Sequence, residues 1–328
     1  MKRHSVRFLL AIALAAGVSL TSGSRPARAE EGGSGHYFPG SMASFVDGVA
    51  PKPAVIIRYN MAYYDGSIGA NFSLPIGGTT AAGVDATSWA HALTFFWRPP
   101  IEIGERWSYG MSATIPYISL DVSASAIAAA PGGGPPSAGR TDSVSGIGDI
   151  VLQPFMMNYN VNPDINVNYR VTLYAPTGSY EVGRLANTGK NFWTVEPTVG
   201  FMYFGTKNGR ELSVFTGLDF NSENEDTSYK SGTQFHLDGT FAQHLPLWGG
   251  LAGFGVSSFY YQQIEGDSGS GANFGDFKAT TAGVGPVISY TTKLGDQDLL
   301  AELKWLREYH TKNRLEGDTI FFKLIVKF

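Results

Sequence analysis

The clearest pattern in the chain lies at its C-terminus, where Ile320, Phe322, Leu324, Val326 and Phe328 take one set of alternate positions and Phe321, Lys323, Ile325 and Lys327 take the other. Alternation with period two gives a β-strand two distinct faces, whereas a helix would scatter the same residues around its circumference. The pattern recurs in Ile165, Val167, Tyr169, Val171 and Leu173 against Asn166, Asn168, Arg170 and Thr172. It recurs again in Leu212, Val214, Leu218 and Phe220 against Ser213, Gly217 and Asp219. Followed along the chain, it predicts strands over 54–63, 90–97, 107–119, 148–159, 165–175, 192–204, 211–221, 233–244, 251–262, 278–291, 298–309 and 318–328.

The connectors between these strands alternate in length. Segments 64–89, 120–147, 176–191, 222–232, 263–277 and 310–317 are long. Between them lie short turns rich in Gly, Pro or Asn, such as 160–164, 205–210 and 294–297. A soluble sandwich has no reason to sort its loops in this way. An all-β, transmembrane antiparallel β-barrel of about twelve strands does, with short periplasmic turns, longer extracellular loops and both chain ends in the periplasm. Closure follows from the solvent, since an unpaired strand edge in hydrocarbon leaves backbone groups without partners. A further hairpin is added if Ser119–Ala129 continues as strand.

Ahead of the barrel, Lys2, Arg3 and Arg7 precede an apolar run from Phe8 to Leu20, and Ala27-Arg28-Ala29 has the form of a signal peptidase site. Residues 1–29 are therefore expected to be a signal peptide, with export to the bacterial outer membrane. Segment 30–53 is rich in Gly and Pro without alternation, and either folds into the lumen as a plug or stays in the periplasm. The barrel proper is expected over 54–328. After Leu20 no apolar stretch approaches the roughly 18 residues that a spanning helix requires. Five of the 24 basic residues lie in the signal segment and none of the 28 acidic ones does, so the remainder is acidic and offers no basic surface to nucleic acid. The absence of cysteine leaves stability to burial and backbone pairing.

The alternate faces assigned to the lumen carry Arg58, Arg170, Glu196, Asp219, Asp238, Glu302, Lys304 and Lys323, a mixture of both signs that suits a barrel interior. Apolar Phe155, Met157, Phe321 and Ile325 are read as inward too, lining a solute path or packing against a plug. Aromatic residues near strand ends, including Tyr63-Tyr64, Phe96-Trp97, Trp107 with Tyr109, Tyr203-Phe204 and Tyr260-Tyr261, suit interfacial girdles. Pro116, Pro154, Pro197 and Pro286 cannot donate ladder hydrogen bonds, so bulges or kinks are expected there.

Chemistry is thin by comparison. Gly266-Asp267-Ser268-Gly269 reproduces the run around a protease nucleophile, but four small residues in a flexible connector are weak evidence in a chain with 41 glycines. None of His36, His91, His236, His244 and His310 makes a ligand pair at zinc spacing, and His236 with Asp238 reads as a pair of lumen-facing polar residues. Glu223, Glu225 and Asp226 open a loop as solvated acids or as ligands for the divalent cations that bridge lipopolysaccharide. No catalytic residue, cofactor or metal site is assigned.

Several stretches together carry a resemblance. Ser145-Gly146-Ile147-Gly148-Asp149, Tyr174-Ala175-Pro176-Thr177-Gly178-Ser179-Tyr180, the run 187–197, and Phe220-Asn221 through Tyr229-Lys230-Ser231-Gly232 resemble the "meta-pathway of phenol degradation" proteins, and Gly285-Pro286 and Asn313-Arg314 with Gly317 continue the likeness. The resemblance implies an outer-membrane channel for passive uptake of small hydrophobic or phenol-like compounds toward degradation, set among membrane lipid and lipopolysaccharide. Leu324, Val326 and Phe328 resemble the C-terminal signal read by the barrel assembly machinery. A structural or adhesive barrel and a general porin are the competing expectations. Gly146, Gly148, Pro176, Gly178 and Gly189 fall at loop starts and turns, where they shape backbone.

Overall fold

A computed structural model describes residues 34–129, 137–272 and 278–328. The signal segment expected over 1–29 lies outside the described residues. Strands β1 (Ala54–Ile76), β2 (Thr79–Arg98) and β3 (Trp107–Ala129) are long, and β4 (Ser137–Ile147) follows. Next come β5 (Ile150–Asn162), β6 (Ile165–Ala175), β7 (Thr194–Phe204), β8 (Arg210–Asn221) and β9 (Gln234–Leu247). The set ends with β10 (Gly250–Gln263), β11 (Thr280–Leu294), β12 (Gln297–Lys312) and β13 (Glu316–Lys327). Pairing is antiparallel throughout, and β1 closes on β13 from Ile56↔Lys327 to Ser67↔Glu316. The result is a closed twelve-strand barrel with one extra strand.

The extra strand is β4. The lower part of β3 pairs with β5 between Trp107 and Thr114, and its upper part pairs with β4 between Tyr117 and Ile127. β4 and β5 thus lie in one line along β3, broken at Gly148-Asp149, and β6 ends level with that break because Ala175 pairs with Ile150. The expected loops 64–89 and 120–147 are for the most part strand. Gly77 and Gly78, both at positive φ, make a two-residue turn that lets β1 and β2 run on past the barrel rim, and β3 with β4 does the same. These extensions wall the outer mouth, the end that carries the longer connectors.

The outer surface is apolar between two aromatic bands. Near the short-turn end it exposes Trp97, Trp107 and Tyr169; near the other it exposes Trp89, Tyr117, Trp193 and Trp305. Val55 and Tyr63 lie at the two levels on β1, opposite Trp97 and Trp89, and at roughly 3.3 Å per residue with the roughly 40° strand tilt of such barrels they stand about 20 Å apart across the membrane. That separation suits the hydrocarbon band of an outer-membrane barrel. Adjacent aromatics divide between faces as the pleat requires: Trp97 is exposed and Phe96 buried, and Tyr261 is buried beside a partly exposed Tyr260.

Candidate functional site

Residues 34–53 run down the lumen as a plug, with Tyr37, Ala43, Ser44 and Asp47 buried at 2%, 1%, 0% and 4% exposure. At the outer mouth, His36 contacts Asp149 at 2.9 Å and Thr194 at 2.7 Å, and Lys190 donates to the Ser34 carbonyl at 2.6 Å. Lower down, the Tyr37 hydroxyl donates to Asp238, Lys304 Nζ donates to the Met42 carbonyl at 2.7 Å, and the Phe45 amide donates to Glu211 at 2.9 Å. Asp47 is held by Lys323 at 2.9 Å and Arg58 at 3.2 Å, while Arg170 donates to its carbonyl. Arg98 donates to the Ala50 carbonyl at 2.7 Å near the short-turn end.

Arg58, Arg170, Glu196, Asp219, Asp238, Glu302, Lys304 and Lys323 lie on lumen faces, and most of these side chains touch the plug or one another. Phe321 also points inward, its ring 5.2 Å from that of Phe38, and Ile325 is buried. Phe155 and Met157 do not. A register shift between Leu152 and Phe155, at Pro154, inserts a residue into β5 and reverses the parity beyond it. Phe155 is therefore 45% exposed on the outer wall and Met157 shares that outer face, while Gln153, Met156 and Asn158 face the lumen. Pro116 stands where β3 changes partner, and the β7–β8 and β11–β12 ladders lapse beside Pro197 and Pro286. Leu324, Val326 and Phe328 lie on the outer face, Phe328 with more than half its surface exposed.

Two cavities flank the plug. The outer one, about 280 Å³, lies between Tyr37, Phe38 and Pro39 of the plug and an apolar wall that includes Leu74, Val84 and Leu120. Leu185 and Tyr180, from the 176–193 connector, roof it. The inner one, about 730 Å³, opens between Phe45–Pro51 and inward residues such as Phe96, Met156 and Ile325. A small apolar core of Ala81, Val84, Val122, Ile127 and Leu185 stiffens the outer wall.

Asp149 organises the roof. Its carboxylate accepts from the backbone amides of Gly178 at 2.8 Å and Lys190 at 2.7 Å as well as from His36. Burial pushes its pKa up, but the hydrogen bond and charge of His36 with the two amides outweigh that and hold the carboxyl below the usual range. Backbones meet beneath the roof at Gly178 and Gly189, where a Cβ on Gly178 would lie 2.6 Å from Gly189 Cα. Asp267, in the run that mimics a protease, is likewise a loop clasp: it accepts from the Tyr229 hydroxyl, the Gly232 amide and Gln263. Asp47, Tyr37 and His36 escaped sequence reasoning because the plug shows no periodicity; Asp149 was visible only inside the family-like run.

The fold and the site define a plugged outer-membrane-type β-barrel. A family model described as "Putative MetA-pathway of phenol degradation" matches residues 70–324, and the chain belongs to that family. No curated protein matches the sequence. Among solved structures, the COG4313 outer membrane channel from Pseudomonas putida F1 is similar over 89% of this chain and 100% of its own, at 14% identity and a TM-score of 0.64. A Pseudomonas aeruginosa FadL homologue is similar over 93% of this chain and 99% of its own, at 9% identity and a TM-score of 0.45.

Proposed function

We propose that this chain, after cleavage of its signal peptide and insertion by the barrel assembly machinery, is a passive channel for small hydrophobic or aromatic compounds, phenol-like ones among them, on their way to degradation. The observation that carries the reading is the apolar outer cavity set against the plug. An apolar cavity of about 150 Å³ is enough to hold benzene, so one of about 280 Å³ admits a substituted ring. The solute leaves the lipopolysaccharide surface for this cavity, gains burial of its apolar area, and passes to the inner cavity as the plug yields. The concentration gradient supplies the energy, no cofactor is used, and the barrel is a conduit without catalytic groups. Membership of the phenol-degradation family supports the substrate class.

Reconstitution in liposomes tests this directly, with sugars, amino acids, phenol, toluene and a long-chain fatty acid as solutes. The expected result is faster entry confined to the apolar members. Entry of sugars and amino acids alone would indicate a general porin, and no difference from empty liposomes would leave a structural or adhesive barrel.

A further inference from the structure

In the outer part of the lumen, side chains from three adjacent strands converge. Glu196 of β7, Asp219 of β8 and His236 of β9 are fully buried, and each offers a ligand atom within 4.8 Å of the other two. The β8–β9 register sets Gly217 opposite His236 and Asp219 opposite Gln234. A Cβ on Gly217 would lie 2.4 Å from His236 Nε2, so the glycine makes the room in which the imidazole lies. His236 Nε2 stands 3.3 Å from Glu196 and Nδ1 stands 3.5 Å from Asp238, at ion-pair distance from both carboxylates but outside good hydrogen-bond geometry with either. Gln234, fully buried on the same lumen face, has both amide atoms without a hydrogen-bond partner.

Three carboxylates here meet one imidazole. Arg170, whose charge also acts on Glu196, bonds to Asn168 and to the plug carbonyl of Asp47 and lies over the Phe215 ring. Glu196 is oriented by the hydroxyls of Tyr174 at 2.6 Å and Thr198 at 2.8 Å, which leaves further lone pairs on its oxygens. Donor atoms about 2 Å from a metal ion stand roughly 3.3 Å apart in a tetrahedron, the spacing of His236 Nε2 from Glu196.

We propose that Glu196, Asp219 and His236 Nε2 bind a first-row divalent transition-metal ion, with the Gln234 amide oxygen as a fourth donor. Asp238 then accepts the Nδ1–H of His236, the carboxylate–histidine–metal arrangement that fixes the ring and raises its basicity. The imidazole selects Zn²⁺ or Mn²⁺ over Ca²⁺, which takes an all-oxygen shell. The ion acts on the plug, because Asp238 also holds the Tyr37 hydroxyl and the Tyr37 ring stacks on His236 with centroids 3.8 Å apart. Linear spacing hides the site, since its ligands come together only through the cross-strand register.

The test uses the folded barrel in detergent, stripped with a chelator and titrated with Zn²⁺, with Co²⁺ as a spectroscopic probe. One Zn²⁺ per chain is expected, with Co²⁺ taking the same site, Mn²⁺ binding there more weakly and competing only in large excess, and Ca²⁺ not competing. Asp238→Asn should weaken Zn²⁺ binding by about tenfold, and His236→Gln and Asp219→Asn, which remove direct ligands, by more than about 100-fold. Glu223→Gln and Glu225→Gln, on the outer loop, should change nothing. Absence of saturable binding, the behaviour of a protonated His236 merely paired with its carboxylates, would overturn the proposal. So would binding that survives His236→Gln or disappears with the loop variants. Should His236→Gln fail to fold, pulsed electron paramagnetic resonance of bound Mn²⁺ in the unaltered chain decides, because the site requires a directly coordinated imidazole nitrogen and lack of that signal excludes it.

Discussion

At the scale of single residues, Asp149 shows how one carboxylate ties three elements. It stands in the break between β4 and β5, caps two amides of the 176–193 connector and receives His36 from the plug. Charge-assisted hydrogen bonds contribute about 1.5–3 kcal/mol, and Asp149→Asn should lose an amount of that order. Because its folded pKa is lowered, the stabilisation is complete above the unfolded value near 3.9 and is lost as pH falls through the folded value below it. Hydrogen exchange at the Gly178 and Lys190 amides, corrected for intrinsic rates, should therefore stay slow from pH 7 to pH 5 and accelerate only below about pH 4. In Asp149→Asn it should be fast throughout; equal protection in both proteins would remove Asp149 from this role.

At the scale of elements, the roof depends on two backbones in contact. An added methyl on Gly178 or Gly189 meets the other glycine's backbone below 3 Å, where no flexible side chain can give way. Gly178→Ala and Gly189→Ala should each cost about 1–3 kcal/mol of loop stability. Entry of apolar solutes should rise with little change in the melting of the barrel, and a lowered entry rate would count against the roof as a barrier. The same scale shows what the sequence disclosed. Regular amphipathic strands such as β6, β12 and β13 have the faces their alternation predicts, with Arg170, Glu302, Lys304 and Lys323 inside. In β5 the prediction of Phe155 and Met157 failed because one bulge inverts every later position, and Pro154 marked where it would fall. The extensions of β1 to β4 were read as loops since Gly66–Gly69 and Ala81-Ala82-Gly83 are too small to show which face they present. The grip of the plug was unreadable for another reason: Asp47 and Lys323 lie 276 residues apart, and only closure of the barrel brings them together.

At the scale of the whole molecule, the two cavities lie on opposite sides of one obstacle. The outer is bounded by Tyr37–Pro39 and the inner by Phe45–Pro51, so a solute that crosses through the lumen must move the chain between them. That stretch packs through Ala43 against Met202 and Phe215 and is tied by two hydrogen bonds, Lys304 to the Met42 carbonyl and the Phe45 amide to Glu211, whereas the ion pairs of the plug lie below it at Asp47. Hinging at Asp47 with release of residues 34–46 would join the cavities and leave the lower anchor in place. A chain without cysteine permits a clean test. Ala43→Cys with Met202→Cys, oxidised, should clamp the plug to β7 and reduce phenol entry into liposomes to the level of empty ones, with full recovery on reduction. Each single variant should conduct normally. If the clamped barrel still admits phenol, the solute does not need the plug to move, and the path runs instead beside it or through the wall, where the ladders lapse beside Pro197 and Pro286. Unchanged entry would thus rule out a moving plug and place the conduit in the wall or in the space beside a fixed plug.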